Sequence, residues 1–144
     1  MDRDQLLGTI FGLVGIGVAL VCLAAMLVVM ILILRFLSSC FARIPQQFRQ
    51  QEPGMVWLLL IPCFNLVWNF FVYPKLADSY KAYFDSVGRP EVGDCGKGIG
   101  LAYCICVACS IVPYIGVLPA LAALVLWIIF LVKAKELRDM IPVA

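Results

Sequence analysis

The chain has no histidine. This removes imidazole ligation of haem or zinc and every nucleophilic triad built on histidine. Charge is scarce as well. Only 14% of its 144 residues are charged, and a net charge of +2 is too small to point to nucleic acid or an acidic substrate. No run of lysine and arginine is long enough to attract anionic lipid headgroups. All nine carboxylates, Asp2, Asp4, Glu52, Asp78, Asp85, Glu91, Asp94, Glu136 and Asp139, lie outside the long apolar runs, whereas proton-coupled pumps and transporters place acids within the membrane. Nor is there an acidic cluster to hold Mg²⁺ for phosphoryl transfer. These absences predict a non-enzyme without metal or cofactor, with no nucleic-acid partner.

What the sequence does hold is apolar. Hydrophobic residues make up 64% of it, with mean hydropathy +1.02. Residues 6–34 contain no charged side chain and one hydroxyl, Thr9. At ~1.5 Å per residue a helix of that length more than spans a bilayer, which needs ~20 residues. The run exceeds the ~7 to 15 residues of a signal-peptide core, and Met1-Asp2-Arg3-Asp4-Gln5 lacks a basic start, so the helix is expected to stay in the mature protein. A second apolar segment, 55–73, sits between Glu52-Pro53-Gly54 and Pro74, with Trp57 and Tyr73 placed to meet the two headgroup layers. The uncharged stretch 98–132 is interrupted by Pro113-Tyr114-Ile115-Gly116 and Pro119, which predicts a tight hairpin whose turn either reaches the far interface or ends inside the membrane.

The expected fold is therefore all-α, a polytopic helical membrane bundle forming one transmembrane domain over residues 1–144. Four spans are placed at roughly 6–34, 55–73, 97–112 and 119–137. In residues 75–87, Leu76, Tyr80, Tyr83, Phe84 and Val87 recur on one helical face. They predict an amphipathic helix contacting lipid at the interface, or else an extension of the second span packed on its neighbours. With four spans, eight basic residues fall on one side and three on the other, placing both termini in the cytoplasm. An alternative bends 55–73 into a re-entrant hairpin at Pro62. Three crossings then remain, and every basic residue except Arg3 falls on one side, ten against one. The four-span arrangement is the working expectation, because prolines are tolerated in membrane helices.

Within the first span Gly8, Gly12, Gly15, Ala19 and Cys22 follow small-xxx-small spacing. Such a face suits close helix packing, either between subunits or against the chain's own helices. Asn65 and Asn69 share a face of the second span and are candidates for a polar path, with Arg35 at its mouth. The plainer reading of the two amides is interhelical hydrogen bonding. Seven cysteines raise the prospect of a membrane thiol oxidoreductase. However, Cys104 and Cys106 point to different sides of a helix, and Cys106 and Cys109 form a Cys-x-x-Cys in mid-helix, so packing between helices is the expected role. A Cys40 to Cys95 disulfide would require the three-crossing arrangement. The glycines around Lys97 do not make a phosphate loop, since Glu91 stands at the first glycine position and Gly98 follows the lysine.

The segment running from Glu52-Pro53-Gly54 through Trp57-Leu58-Leu59-Leu60-Ile61-Pro62-Cys63-Phe64-Asn65 to Trp68 resembles a group of uncharacterised small multi-span bacterial membrane proteins. The resemblance covers about residues 43–115. It implies a bacterial integral membrane protein, placed in the inner membrane, and brings no activity, cofactor or site residue. Two function classes follow: a self-associating channel or pore, and a non-catalytic structural or accessory membrane protein that acts through a partner.

Overall fold

A computed structural model describes residues 2–143, and every regular element among them is helical. Four α-helices run over Arg3–Arg43 (α1), Pro62–Ser86 (α2), Lys97–Cys109 (α3) and Val117–Met140 (α4). Short 3-10 helices occupy Gln46–Phe48, Pro53–Leu60 and Pro90–Val92. Three segments are long and apolar enough to cross a membrane: Arg3–Arg43, Pro90–Cys109 and Val117–Met140. The described residues divide into two compact units, Met1–Arg35 and Phe36–Ala144.

In the first unit, α1 is helical throughout its apolar run. Nothing in the sequence breaks it at residue 34, since arginine is a good helix former, and the helix continues to Arg43. Side chains all round it are exposed, among them Phe11, Val21 and Met26. An α-helix apolar on every face is stable as a lone surface in lipid, not in water.

In the second unit, the expected span 55–73 is not one helix. Pro53–Leu60 winds as a 3-10 helix, Ile61 is extended (φ −79°, ψ 114°), and α2 starts at Pro62. The break follows from Pro62, which pushes the residue before it out of the helical region and suits the first helical position, where its missing N–H costs nothing. The 3-10 helix folds back on α2 and packs against it. Pro74, read from the sequence as a boundary, lies inside α2. Its neighbours Val72, Tyr73, Leu76 and Ala77 are all buried, and this packing outweighs the loss of one helical hydrogen bond. The expected amphipathic helix 75–87 is thus the second half of α2, ending at Ser86. Helices α3 and α4 form the hairpin expected from 98–132, with α3 closing at Cys109 and α4 starting at Val117.

The core of this unit gathers at one end. Leu37, Cys40, Phe41 and Ile44 from the end of α1 are buried, as are Tyr73, Leu76, Tyr80 and Phe84 of α2 and Phe130, Ala134 and Leu137 of α4. Gly100 brings α3 close to its neighbours: a Cβ there would lie 3.0 Å from Phe130 Cε2 and 3.2 Å from Tyr73 Cβ.

Candidate functional site

The polar groups with most to say about function are Asn65 and Asn69, on the first turns of α2. Asn65 Nδ2 donates to the Leu59 carbonyl at 2.8 Å, and Asn69 Nδ2 donates to Asn65 Oδ1 at 2.7 Å. Trp68 Nε1 donates to the Met55 carbonyl at 2.9 Å. Around the turn itself, Ile61 N–H bonds Leu58 O and Asn65 N–H bonds Ile61 O. These side chains therefore supply carbonyls of the 3-10 helix with donors and fasten it to α2. The stack of Trp68 between Phe64 (5.1 Å) and Phe71 (5.5 Å) lies along the same limb. Asn69 is buried and Asn65 half-buried, and their bonds tie the two limbs of the hairpin together.

A second layer sits deeper in α2. Tyr73 meets Tyr103 and Phe130 edge-on, each at 5.0 Å between ring centres, and its hydroxyl accepts from Trp127 Nε1 at 3.0 Å. Tyr73 is therefore part of the core, not of an aromatic belt at a headgroup layer. Toward the end of α2 the contacts become ionic and polar. Asp78 pairs with Lys97 at 2.9 Å, and Tyr80 donates to the Ala134 carbonyl at 3.3 Å. Burial pushes the Tyr80 phenol well above its ordinary pKa. Asp94 accepts from the N–H groups of Gly96 and Gly98, each at 3.0 Å, and so satisfies donors at the start of α3. At the end of α1, Arg138 donates to Ser39 Oγ at 3.1 Å and lies over the Phe36 ring.

Of the residues expected to touch lipid at the interface, Leu76, Tyr80 and Phe84 are buried inside this unit, Tyr83 is half-buried and Val87 is exposed. The hydrophobic face of 75–87 is thus covered mostly by the protein. Periodicity alone could not say whether lipid or protein would cover it. In the first unit Gly8, Gly12 and Gly15 have nothing within 4 Å of where a Cβ would stand, and Ala19, Cys22 and Arg35 are exposed. The structure brings Asn65 and Asn69 together and leaves the small-residue face of α1 open. All seven cysteines are free thiols, with Cys40, Cys95 and Cys104 buried.

By sequence, residues 38–51 carry a weak amphipathic pattern of Cys40, Phe41, Ile44 and Phe48, broken by Pro45, that suggests an interfacial segment. The structure buries Cys40, Phe41 and Ile44 and opens a cavity of about 340 Å³ in the loop after α1, lined by Gln46, Arg49, Gln50, Gln51 and Glu52. Arg49 Nη2 bonds the Ala42 and Ile44 carbonyls, while the Gln51 amide is buried with no partner. The sequence signal for the cavity itself is the cluster of glutamines. No protein-family model, curated protein or solved structure matches the chain.

Proposed function

We propose that the chain is a non-catalytic integral membrane protein, anchored by α1, that works by association within the bilayer. The observation that carries this reading is the hydrogen bonding of Asn65 and Asn69 inside one hairpin. These are the side chains best placed by sequence to line a polar path, and both Nδ2 groups and the Asn65 Oδ1 oxygen are engaged within a single hairpin. A conduction pathway needs polar groups left free to replace an ion's hydration. The apolar surface of α1 provides the means of association, through close packing of its small-residue face.

The hairpin bend at Pro62 returns the chain to the side from which it came. On that topology one basic residue, Arg3, precedes the first apolar run and ten follow it on the other side. The positive-inside rule then puts the C-terminal region in the cytoplasm and the N-terminal region across the membrane. This differs from the arrangement with both termini cytoplasmic that four spans require.

A second reading, a homo-oligomeric channel with Arg35 at its mouth, is favoured by one observation, the open face of Gly8, Gly12 and Gly15. Planar-bilayer recording together with native mass spectrometry in nanodiscs separates the two. The accessory reading expects no unitary conductance, and Asn69→Leu changes stability alone. A discrete ring whose conductance changes with Asn69→Leu overturns it.

A further inference from the structure

The charges of the second unit lie at the bases of four short apolar limbs. Residues 53–60, 62–74, 98–109 and 117–132 contain no Asp, Glu, Lys or Arg, whereas Glu52, Lys75, Lys97 and Lys133 stand at their bases. At ~2.0 Å per residue for the 3-10 limb and ~1.5 Å for the α-helical ones, their lengths are about 16, 19, 18 and 24 Å.

The cross-contacts put both hairpin tips at the same end. Passing along α2 from Tyr80 to Tyr73, the partners shift from Ala134 to Phe130 and Trp127 on α4. On α3 they shift from Lys97, opposite Asp78, to Tyr103. Continuing the same way leads to Pro62 on α2, Cys109 on α3 and Val117 on α4, within about 9 to 16 Å of the Tyr73 layer.

The two halves differ in what covers them. Around the charged bases Leu76, Tyr80, Phe84, Ala134 and Leu137 are buried, while Val87, Val132 and Met140 are exposed. Toward the tips the apolar side chains are uncovered, including Ile61, Val67 and Ile115, with Tyr114 97% and Val117 75% exposed. Such an uncovered apolar end, on a unit whose own core is already complete, asks for hydrocarbon. A bilayer core of ~30 Å is deeper than any of these uncharged limbs, and α3 and α4 reach the length of a crossing only together with their charged flanks.

We propose that residues 36–143 form a wedge inserted from one side of the membrane. In this arrangement the turns at Ile61-Pro62 and at residues 110–116 end within the hydrocarbon, without emerging on the opposite face. The partner is the acyl region of the bilayer, entered from the side that carries Lys97 and Lys133. This inference rests on the integral-membrane reading above and deepens it. Backbone chemistry at the first tip fits the requirement that lipid-facing turns keep few free polar groups. Ile61 and Asn65 N–H groups are bonded, Asn65 and Trp68 side chains reach back to Leu59 and Met55, and Pro62 has no N–H. In the second turn Ser110, Ile111 and Val112 donate to Cys106, Ala108 and Cys109, and Pro113 and Pro119 have no N–H. The N–H groups of residues 114–118 are unpaired among the described residues, as at any helix start.

Native thiols provide the test, since Cys63 and Cys109 are exposed and sit at the two tips. The full-length chain in sealed, oriented vesicles is treated with a membrane-impermeant maleimide on either side and mapped by peptide mass spectrometry. Tyr114→Cys and Lys135→Cys are added as single variants. The wedge predicts that Lys135→Cys is modified from one side only. Cys63, Cys109 and the thiol of Tyr114→Cys stay unmodified from both sides and react after detergent is added. Modification of Tyr114→Cys from the side opposite Lys135→Cys overturns the wedge and makes α3 and α4 true crossings. Modification from the same side as Lys135→Cys also overturns it. If alkaline carbonate then leaves the protein in the membrane, only the wedge has failed; if it releases the protein, the integral-membrane reading has failed with it.

Discussion

Replacing Asn65 by alanine should cost more than replacing Asn69. Asn65 stands at the centre of a chain of two hydrogen bonds, giving one to the Leu59 carbonyl and taking one from Asn69. Asn65→Ala removes both and leaves a carbonyl and an amide without partners, whereas Asn69→Ala removes one. Side-chain hydrogen bonds in membrane proteins are worth ~0.6 kcal/mol on average and up to ~1.7. The first variant should therefore lose about 1 to 3 kcal/mol and the second about 0.5 to 1.5. Alanine gains up to ~0.7 kcal/mol of helix propensity over asparagine. The gain is common to both positions and leaves their difference intact. The double variant should fall short of additivity by about 0.5 to 1 kcal/mol, because each single change already removes the shared bond. Unfolding in mixed micelles, followed by the fluorescence of Trp68 against Phe64 and Phe71, reads these differences directly. An Asn69→Ala loss equal to or greater than that of Asn65→Ala, or strict additivity, would refute the shared network. The amides would then have to serve something outside the hairpin.

Three further outcomes follow from local packing. Gly100→Ala presses a methyl against Tyr73 Cβ and the Phe130 ring, an overpacking cost of ~1 to 3 kcal/mol that exceeds the ~1 kcal/mol gained in helix propensity, so micelle unfolding should show a net loss of roughly 1 kcal/mol. Gly116→Ala puts a Cβ against the Ser110 carbonyl oxygen and 2.8 Å from that of Val112, which forces the backbone of the second turn to move; a loss of roughly 2 kcal/mol is expected in the same assay. Tyr80→Phe removes the hydrogen bond to Ala134 within the core and should lower stability by about 0.5 to 1.5 kcal/mol without altering membrane retention, measured by unfolding and by alkaline extraction in parallel.

The helical class, the long first helix and the hairpin over 98–132 were all legible in the sequence, because unbroken apolar runs and paired prolines are strong local signals. The two prolines of the middle region were weighed the wrong way round. Pro62 looked tolerable within a span and Pro74 looked like an end, yet Pro62 breaks the chain and Pro74 does not. The deciding information is not local. Asn65 and Trp68 reach back to carbonyls six and thirteen residues away, which makes a bend at Pro62 cheap in polar groups, and burial on either side of Pro74 keeps α2 intact. The same limit applies to Leu76, Tyr80 and Phe84, since a helical stripe reveals that a face is apolar without revealing what covers it. The pairing of Asn65 with Asn69 was visible from their spacing; the carbonyl that Asn65 binds was not.

The topology proposed above rests on the bend at Pro62, and two protease-cleavable tags, one at each end of the chain, test it most directly in sealed vesicles. One crossing by α1, with everything after it entering and leaving on the same side, predicts that protease outside the vesicle removes one tag and spares the other. Removal of both tags together, or protection of both, would mean an even number of crossings and would contradict the account.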